Sequence, residues 1–193
     1  RRRVPTERGC GQQVAVDLEV GIRRNRSVGQ HQVQPMHREI AEQFVPALVS
    51  DLAKAGVAFR CDADSLEMAR AVTGAAIEAA SANDFDTEWL SLVLGIAIVD
   101  DAQTAMRHIE KHSSGHSDGI LTANAQLAEE FLARIDSAAV YWNASTRFTD
   151  GAELGLGAEV AVSTQRLHAR GPMGLVELTS YKWVVQGNYH VRG

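Results

Sequence analysis

Leu92-Val-Leu-Gly-Ile-Ala-Ile-Val99 is a near-continuous apolar run of strand length, and it limits the architectures open to this chain more than any other stretch. A half-exposed strand alternates apolar with polar residues. An unbroken run is expected where both faces of a sheet are covered, as in α/β proteins. The residues downstream of it fit that class. Asp101 can cap a helix whose buried stripe is Ala102, Ala105, Met106 and Ile109, and Gly115 lies past its end. Asp118 to Thr122 reads as a second strand. Leu127, Ala128, Phe131, Leu132 and Ile135 mark another helix, and Ala138 to Trp142 a third strand. Strand, helix, strand, helix, strand at this spacing predicts a βαβαβ unit with a parallel sheet and right-handed crossovers.

Upstream, Ile40, Phe44, Leu48 and Leu52 recur every four residues and predict a helix ending at Gly56. Pro46 lies inside it and predicts a kink or a restart, because it removes a backbone hydrogen bond. Val57 to Arg60 reads as a short strand. Asp64 or Ser65 can cap the next helical run, through Leu66, Ala69 and Val72. An acidic loop, Asn83 to Glu88, precedes the apolar run. Residues 1–36 show no sustained periodicity beyond an alternation at Val14 and Val16, so no structure is assigned there. Leu178 to Val185 is apolar and β-branched enough for a final, projecting strand. The division expected is therefore 1–36, 37–177 and 178–193, with one main α/β domain.

A chain of 193 residues that is 45% hydrophobic can bury a core of one domain or somewhat more. The net charge of −5 gives no reason to expect non-specific nucleic-acid binding. Residues 1–40 hold 8 arginines against 4 acidic groups, but this basic head has no apolar run of a signal peptide. Glu7, Asp17 and Glu19 argue against a transit peptide. No stretch approaches the roughly 18 apolar residues of a membrane span. The two cysteines, Cys10 and Cys61, form no disulfide framework and fit a reducing cytoplasm. His31 and His37 have no ligand-like partners in the sequence, and no metal site is read. The first residue is Arg rather than Met, so a fragment is expected.

The third strand runs into the stretch richest in possible chemistry. Beyond Trp142 the apolar run stops at Asn143, and Ser145, Thr146, Arg147, Phe148, Thr149 and Asp150 crowd into six positions. Gly151, Gly155 and Gly157 come next, where the backbone can turn sharply or approach a ligand closely. Loops at the ends of buried strands are where α/β proteins place ligands. A plain surface turn is the alternative.

Val140 to Glu159, VYWNASTRFTDGAELGLGAE, together with Ser163 to Val185, STQRLHARGPMGLVELTSYKWVV, resembles the carboxy-terminal signature of the gamma-glutamyl phosphate reductase family. These glutamate-5-semialdehyde dehydrogenases form a proline-biosynthesis branch of the aldehyde dehydrogenase superfamily. The resemblance runs from about His37 to the end of the chain and is broken before it. It implies an aldehyde dehydrogenase-like catalytic portion, reduction of gamma-glutamyl phosphate with phosphate release, NADPH as cofactor and a cytoplasmic location. It also implies a homo-oligomer joined through the carboxy-terminal strand, and channelling of substrate from glutamate 5-kinase. The cofactor-binding domain would lie before Arg1. The same signature occurs in the dehydrogenase half of bifunctional kinase–reductases.

The resemblance also assigns residues. Such an enzyme needs a thiolate nucleophile, a hydride donor, oxyanion donors and groups for the distal carboxylate. The family's cysteine lies in an Arg-Pro-Ser-Val-Cys-Asn-like segment, and the matching stretch here is Arg26 to His37, with Gly29 near the cysteine position. Glycine cannot be the nucleophile. The stretch is read as a frameshift or sequencing error over roughly residues 18–36, the alternative being a genuine lesion and an inactive relative. Val4 to Gly11 resembles a family segment in which Glu7 matches a glutamate near the reaction centre. Cys10 falls at a non-nucleophilic position. Glu88 resembles the glutamate that holds the nicotinamide ribose hydroxyls, the alternative being a solvated charge. Asn143, Ser145, Thr146, Arg147 and Phe148 are the substrate-binding candidates. Arg147 is assigned to the substrate carboxylate, because a guanidinium fork matches one bidentately, or else to Asp150. His116 and His168 lie in matching segments, His116 with a structural role and His168 with none derived. A non-catalytic remnant that pairs with an intact subunit through residues 178–185 remains the reading from a different class.

Overall fold

The computed structural model describes residues 33–193. A four-stranded, all-parallel sheet forms the first layer: β1 (Val33–His37), β2 (Ala58–Cys61), β3 (Ala76–Ala79) and β4 (Val93–Val99), in the order β1-β4-β2-β3. The apolar run is β4. It pairs on one side with β1, Val33 opposite Gly95, and on the other with β2, Ala58 opposite Val93. A strand flanked by neighbours and covered by helices needs apolar residues on both faces, and Leu94 to Ala97 are buried without interruption.

Helix α1 (Arg38–Ala53) packs Ala41, Val45, Leu48 and Val49 into a core with Met36, Phe59, Leu94 and Ile96. Pro46 neither breaks nor restarts it. Proline inside a helix costs about 3 kcal/mol. Burying a Val or Leu contributes about 1.5–3 kcal/mol, so the three larger side chains of that face outweigh it. Helix α2 (Ala63–Ala69) is capped by Asp62, ahead of both residues that the spacing offered. Asp64 pairs instead with Arg38, which also reaches Asp100.

Helix α3 (Ala102–His112) starts on Asp101 as expected and turns Ala105, Met106 and Ile109 inward. They meet Ile120, Leu127, Phe131 and Ile135 in a second core, built by α4 (Ala125–Arg134) and the strands β5 (Ser117–Ile120) and β6 (Ala139–Trp142). Arg134 on α4 grips Glu110 on α3 with both ends of its fork, 2.6 and 2.9 Å. β5 and β6 pair in parallel, Ser117 opposite Ala139, but as a sheet of their own. The expected strand–helix–strand–helix–strand order is present, divided between two sheets, with β5 and β6 parallel. Parallel strands, helical crossovers and the α/β class stand.

Four further features differ from expectation. β1 occupies Val33–His37, inside the segment to which no structure was assigned, and Pro35 and Met36 are fully buried there. β3 was not foreseen. β7 (Ala161–Ser163) and β8 (Gly171–Met173) form a small antiparallel pair. No strand forms over residues 178–185, where Leu178, Tyr181, Trp183, Val184 and Val185 are exposed. A strand needs a partner edge for its backbone groups, and among the described residues no strand pairs with this segment.

Candidate functional site

The loop after β6 is built from its own hydrogen bonds. Asn143 takes a positive φ of 52°, which asparagine tolerates, and its N–H donates to Ile120 O at 2.9 Å. Its side-chain amide is committed twice to the backbone of Thr122: Oδ1 accepts from the N–H at 2.9 Å, and Nδ2 donates to the carbonyl at 2.8 Å. The Trp142 indole donates to the same carbonyl at 3.0 Å. Asn143 therefore ties the end of β6 to the segment after β5, a bond that local spacing could not reveal.

A single 3-10 turn, Thr146–Phe148, comes next. Ser145 is nearly buried and caps it, Oγ accepting from Arg147 N at 3.2 Å. Phe148 N donates to Ser145 O at 3.1 Å, and Thr149 N to Thr146 O at 3.0 Å. Asp150 does not pair with Arg147. Its Oδ1 accepts from Ala152 N at 2.8 Å and Glu153 N at 3.2 Å, capping the next turn. Gly151 is needed for close approach: a Cβ there would sit 2.8 Å from the Cβ of Glu159. Among the described residues no ion pair or hydrogen bond engages the Arg147 side chain, which is exposed, and Phe148 beside it is 49% exposed. Of the five substrate-binding candidates, Asn143 and Ser145 thus hold the loop, while Arg147 and Phe148 stand open.

Thr149, not foreseen, is nearly buried beneath the turn. Its hydroxyl lies 2.7 Å from Ser117 Oγ and 2.7 Å from the Tyr141 hydroxyl. Ser117 in turn lies 2.7 Å from His116 Nδ1, giving that histidine a side-chain partner. His168 is exposed between β7 and β8, in a segment held by Arg166 and Arg170, each 2.7 Å from Asp136.

Glu88 lies in a separate loop, between β3 and β4, pinned from two sides. Asp84 accepts from Ser81 N at 2.9 Å and lies 3.7 Å from Arg60, whose guanidinium stacks 5.1 Å from the Trp89 ring centre. Hydrogen bonds from Ser81, the hydroxyl first, hold the Asp84 carboxyl below the usual carboxylate range. Asp86 is 2.6 Å from His112 Nδ1, and Phe85 packs edge-on against His108 at 5.3 Å. Glu88 itself is exposed, and among the described residues nothing pairs with its carboxylate.

Glu7, Cys10 and Gly29 lie outside the described residues. Cys61 is buried, and burial pushes its thiol up to about 11, so it is no ready thiolate. Among the described residues no group of three or more His, Cys, Asp or Glu could hold a metal ion, and no helix is long and apolar enough to cross a membrane.

No family model matches the chain. Individual proteins do. The chain is 55% identical over 157 residues to a gamma-glutamyl phosphate reductase of Psychromonas ingrahamii, and 54% identical over 157 residues to that of Pasteurella multocida. Each match takes in 81% of this chain and 37% of the relative, so the chain spans little more than a third of their length. The crystal structure of gamma-glutamyl phosphate reductase from Thermotoga maritima superposes with a TM-score of 0.75 at 47% identity, covering 84% of this chain and 38% of that one.

Proposed function

For a chain that is, over about four-fifths of its length, a homologue of the gamma-glutamyl phosphate reductases, we propose a part in the reduction of gamma-glutamyl 5-phosphate to glutamate-5-semialdehyde with release of phosphate. This is the aldehyde-forming step of proline biosynthesis. The chain is a portion of such an enzyme and is inactive alone. The observation that carries the reading is the unpaired Arg147 on a loop whose neighbouring polar groups are already bonded. A guanidinium fork with no internal acceptor is free to take the distal carboxylate of the substrate bidentately. Phe148 and Thr146, its neighbours in the turn, would flank the bound carboxylate.

Glu88 fits the cofactor role. A free carboxylate on a loop immobilised by other acids can accept hydrogen bonds from two ribose hydroxyls. The cofactor, NADPH, would supply the hydride. A cysteine, which must come from outside the described residues, would form and release the thioester. The enzyme is placed in the cytoplasm, with substrate handed over from glutamate 5-kinase.

The test is a titration of the chain with glutarate, following the Arg147 guanidinium by NMR. Saturable binding, seen also in the backbone amide signals of residues 145–150 and lost from those signals in Arg147→Met, supports the reading. An unmoved Arg147 signal at tens of millimolar ligand, as an order of magnitude for a weak single-site interaction, refutes it. The second reading, a non-catalytic chain that pairs with an intact subunit, is favoured by the exposed Tyr181, Trp183, Val184 and Val185. Strand addition needs backbone groups and an apolar face, not a nucleophile. The dehydrogenase half of a bifunctional kinase–reductase would use the same residues as the first reading.

A further inference from the structure

Thr149 closes a line of hydrogen-bonding groups that runs beneath the 3-10 turn, His116 to Ser117 to Thr149 to Tyr141, each step 2.7 Å. Ser117 is opposite Ala139, and Tyr141 lies two residues beyond Ala139. Side chains alternate along a strand, so Ser117 and Tyr141 rise from one face of the β5–β6 pair, and Thr149 spans them. Each hydroxyl has one proton. If Tyr141 donates to Thr149, Thr149 to Ser117 and Ser117 to His116 Nδ1, every proton in the line has an acceptor. His116 is then neutral with its proton on Nε2. In the reverse order the Tyr141 proton has no acceptor within the line, so the first order is the complete one.

We propose that Thr149 is a positioning residue for Arg147 and Phe148, its hydroxyl locking the turn onto the β5–β6 pair. The proposal rests on the reading of this loop as the carboxylate site, and it says what holds that site in place. The Arg147 and Phe148 side chains are exposed, and among the described residues no hydrogen bond or ion pair holds the Arg147 guanidinium. The turn they share is closed by Thr149 N, and the hydroxyl of the same residue reaches the sheet. A displacement of about 1 Å at a binding group is enough to weaken ligand alignment severely.

Thr149→Val keeps the shape and removes the hydroxyl, while Thr149→Ser keeps the hydroxyl. Amide hydrogen exchange at Phe148 and Thr149, referenced to β5 and β6, reads the turn without any ligand. Thr149→Val should accelerate it about tenfold, since two half-buried hydroxyl groups lose a partner, and Thr149→Ser should stay within about threefold. Unchanged exchange in a folded Thr149→Val chain overturns the proposal, as does equal loosening in Thr149→Ser. If the valine variant does not fold, Tyr141→Phe cuts the line at its other end under the same readout. Glutarate titration then separates the two claims. A wild-type chain blind to glutarate refutes the carboxylate site and leaves exchange to judge the lock. A loosened valine chain that still binds glutarate with wild-type affinity refutes positioning.

Discussion

Asp62 joins two elements of the first sheet, and its replacement has a cost that can be worked out bond by bond. β2 ends at Cys61, opposite Ile96, while β4 runs on to Val99. Beyond the last β2 residue, Asp62 N still donates to Ile96 O at 3.0 Å. The next rung is supplied by its side chain: Oδ2 accepts from Ile98 N at 2.6 Å, and Oδ1 accepts from Ser65 N at 2.8 Å and Ser65 Oγ at 2.6 Å. One carboxylate therefore extends the β2–β4 ladder and caps α2. In Asp62→Ala the lost cap costs about 1 kcal/mol, and the orphaned Ile98 N–H costs about 1–3 kcal/mol more. The Ser65 hydroxyl, fully buried, retains Ile96 O at 2.9 Å and adds little. The sum is about 2–4 kcal/mol, a large share of the roughly 5–15 kcal/mol typical of a domain. Asp62→Asn keeps one acceptor oxygen and should cost about half as much. Asp64→Ala removes only an exposed ion pair to Arg38 and should cost less than about 1 kcal/mol. Urea unfolding measures all three. With a slope near 2 kcal/mol/M, the alanine midpoint should fall by about 1–2 M with the slope unchanged. An Asp62→Ala shift no larger than that of Asp64→Ala would refute the ladder argument. Equal costs for alanine and asparagine would show that charge, not acceptor geometry, does the holding.

The carboxyls of Asp84, Asp101, Glu110 and Asp136 are all held below the usual range, by Ser81, the Thr104 N–H, Arg134 and Arg170 respectively. Depressed carboxylates stabilise the fold above their unfolded values, so urea midpoints should hold steady from neutrality and fall as the pH drops below about 4; a midpoint that stays flat through acid would contradict this. The Cys61 thiol, raised to about 11 by burial, should be labelled by thiol reagents at pH 8 only as fast as the chain unfolds, read by peptide mapping. Labelling at the rate of a free thiol would show that its burial is not maintained. Removing residues 178–193, whose apolar side chains are exposed, should leave the thermal midpoint unchanged to about 2 °C and abolish any self-association seen in sedimentation. A large loss of thermal stability would mean that the tail packs on its own chain.

The parts of the fold visible in advance were those decided by local pattern. The run at residues 92–99 and the stripes of α3 and α4 read directly, because burial on two faces and burial on one face leave different periods. What was missed depended on distant partners. Three residues near the start of α2, Asp62, Asp64 and Ser65, could all cap a helix; Asp62 does so in a position that also meets Ile98 N, 36 residues away. β3 consists of Ala76, Ile77, Glu78 and Ala79 at a sheet edge, with no apolar alternation to announce it. β5 and β6 were foreseen as strands, but sequence order does not say whether they extend the sheet of β4 or form another. The tail at residues 178–185 has strand composition, but among the described residues it pairs with no edge.

The candidate loop shows the same division at the level of single atoms. Sequence reading picks out polar residues beyond a buried strand, and it picked five. It cannot tell which of their hydrogen-bonding groups the fold consumes. Asn143 looked like a ligand-facing amide because nothing local claims it; the claimant is Thr122, 21 residues earlier. Ser145 looked like a donor to substrate, yet its oxygen accepts from the turn it starts. Thr149 drew no role, since its partners Ser117 and Tyr141 lie on other elements. Once the internal bonds are drawn, the charged side chains left over within residues 143–150 and 83–88 are Arg147 and Glu88, and both sit on backbone that other residues immobilise. Neither must give up a protein partner to meet a ligand. Binding at either then loses chiefly side-chain rotamer freedom, about 2 kcal/mol for an arginine. The rigidity of Ser145, Thr149 and Asp150 around Arg147, and of Asp84 and Asp86 around Glu88, is what keeps that loss from growing to include the loop itself.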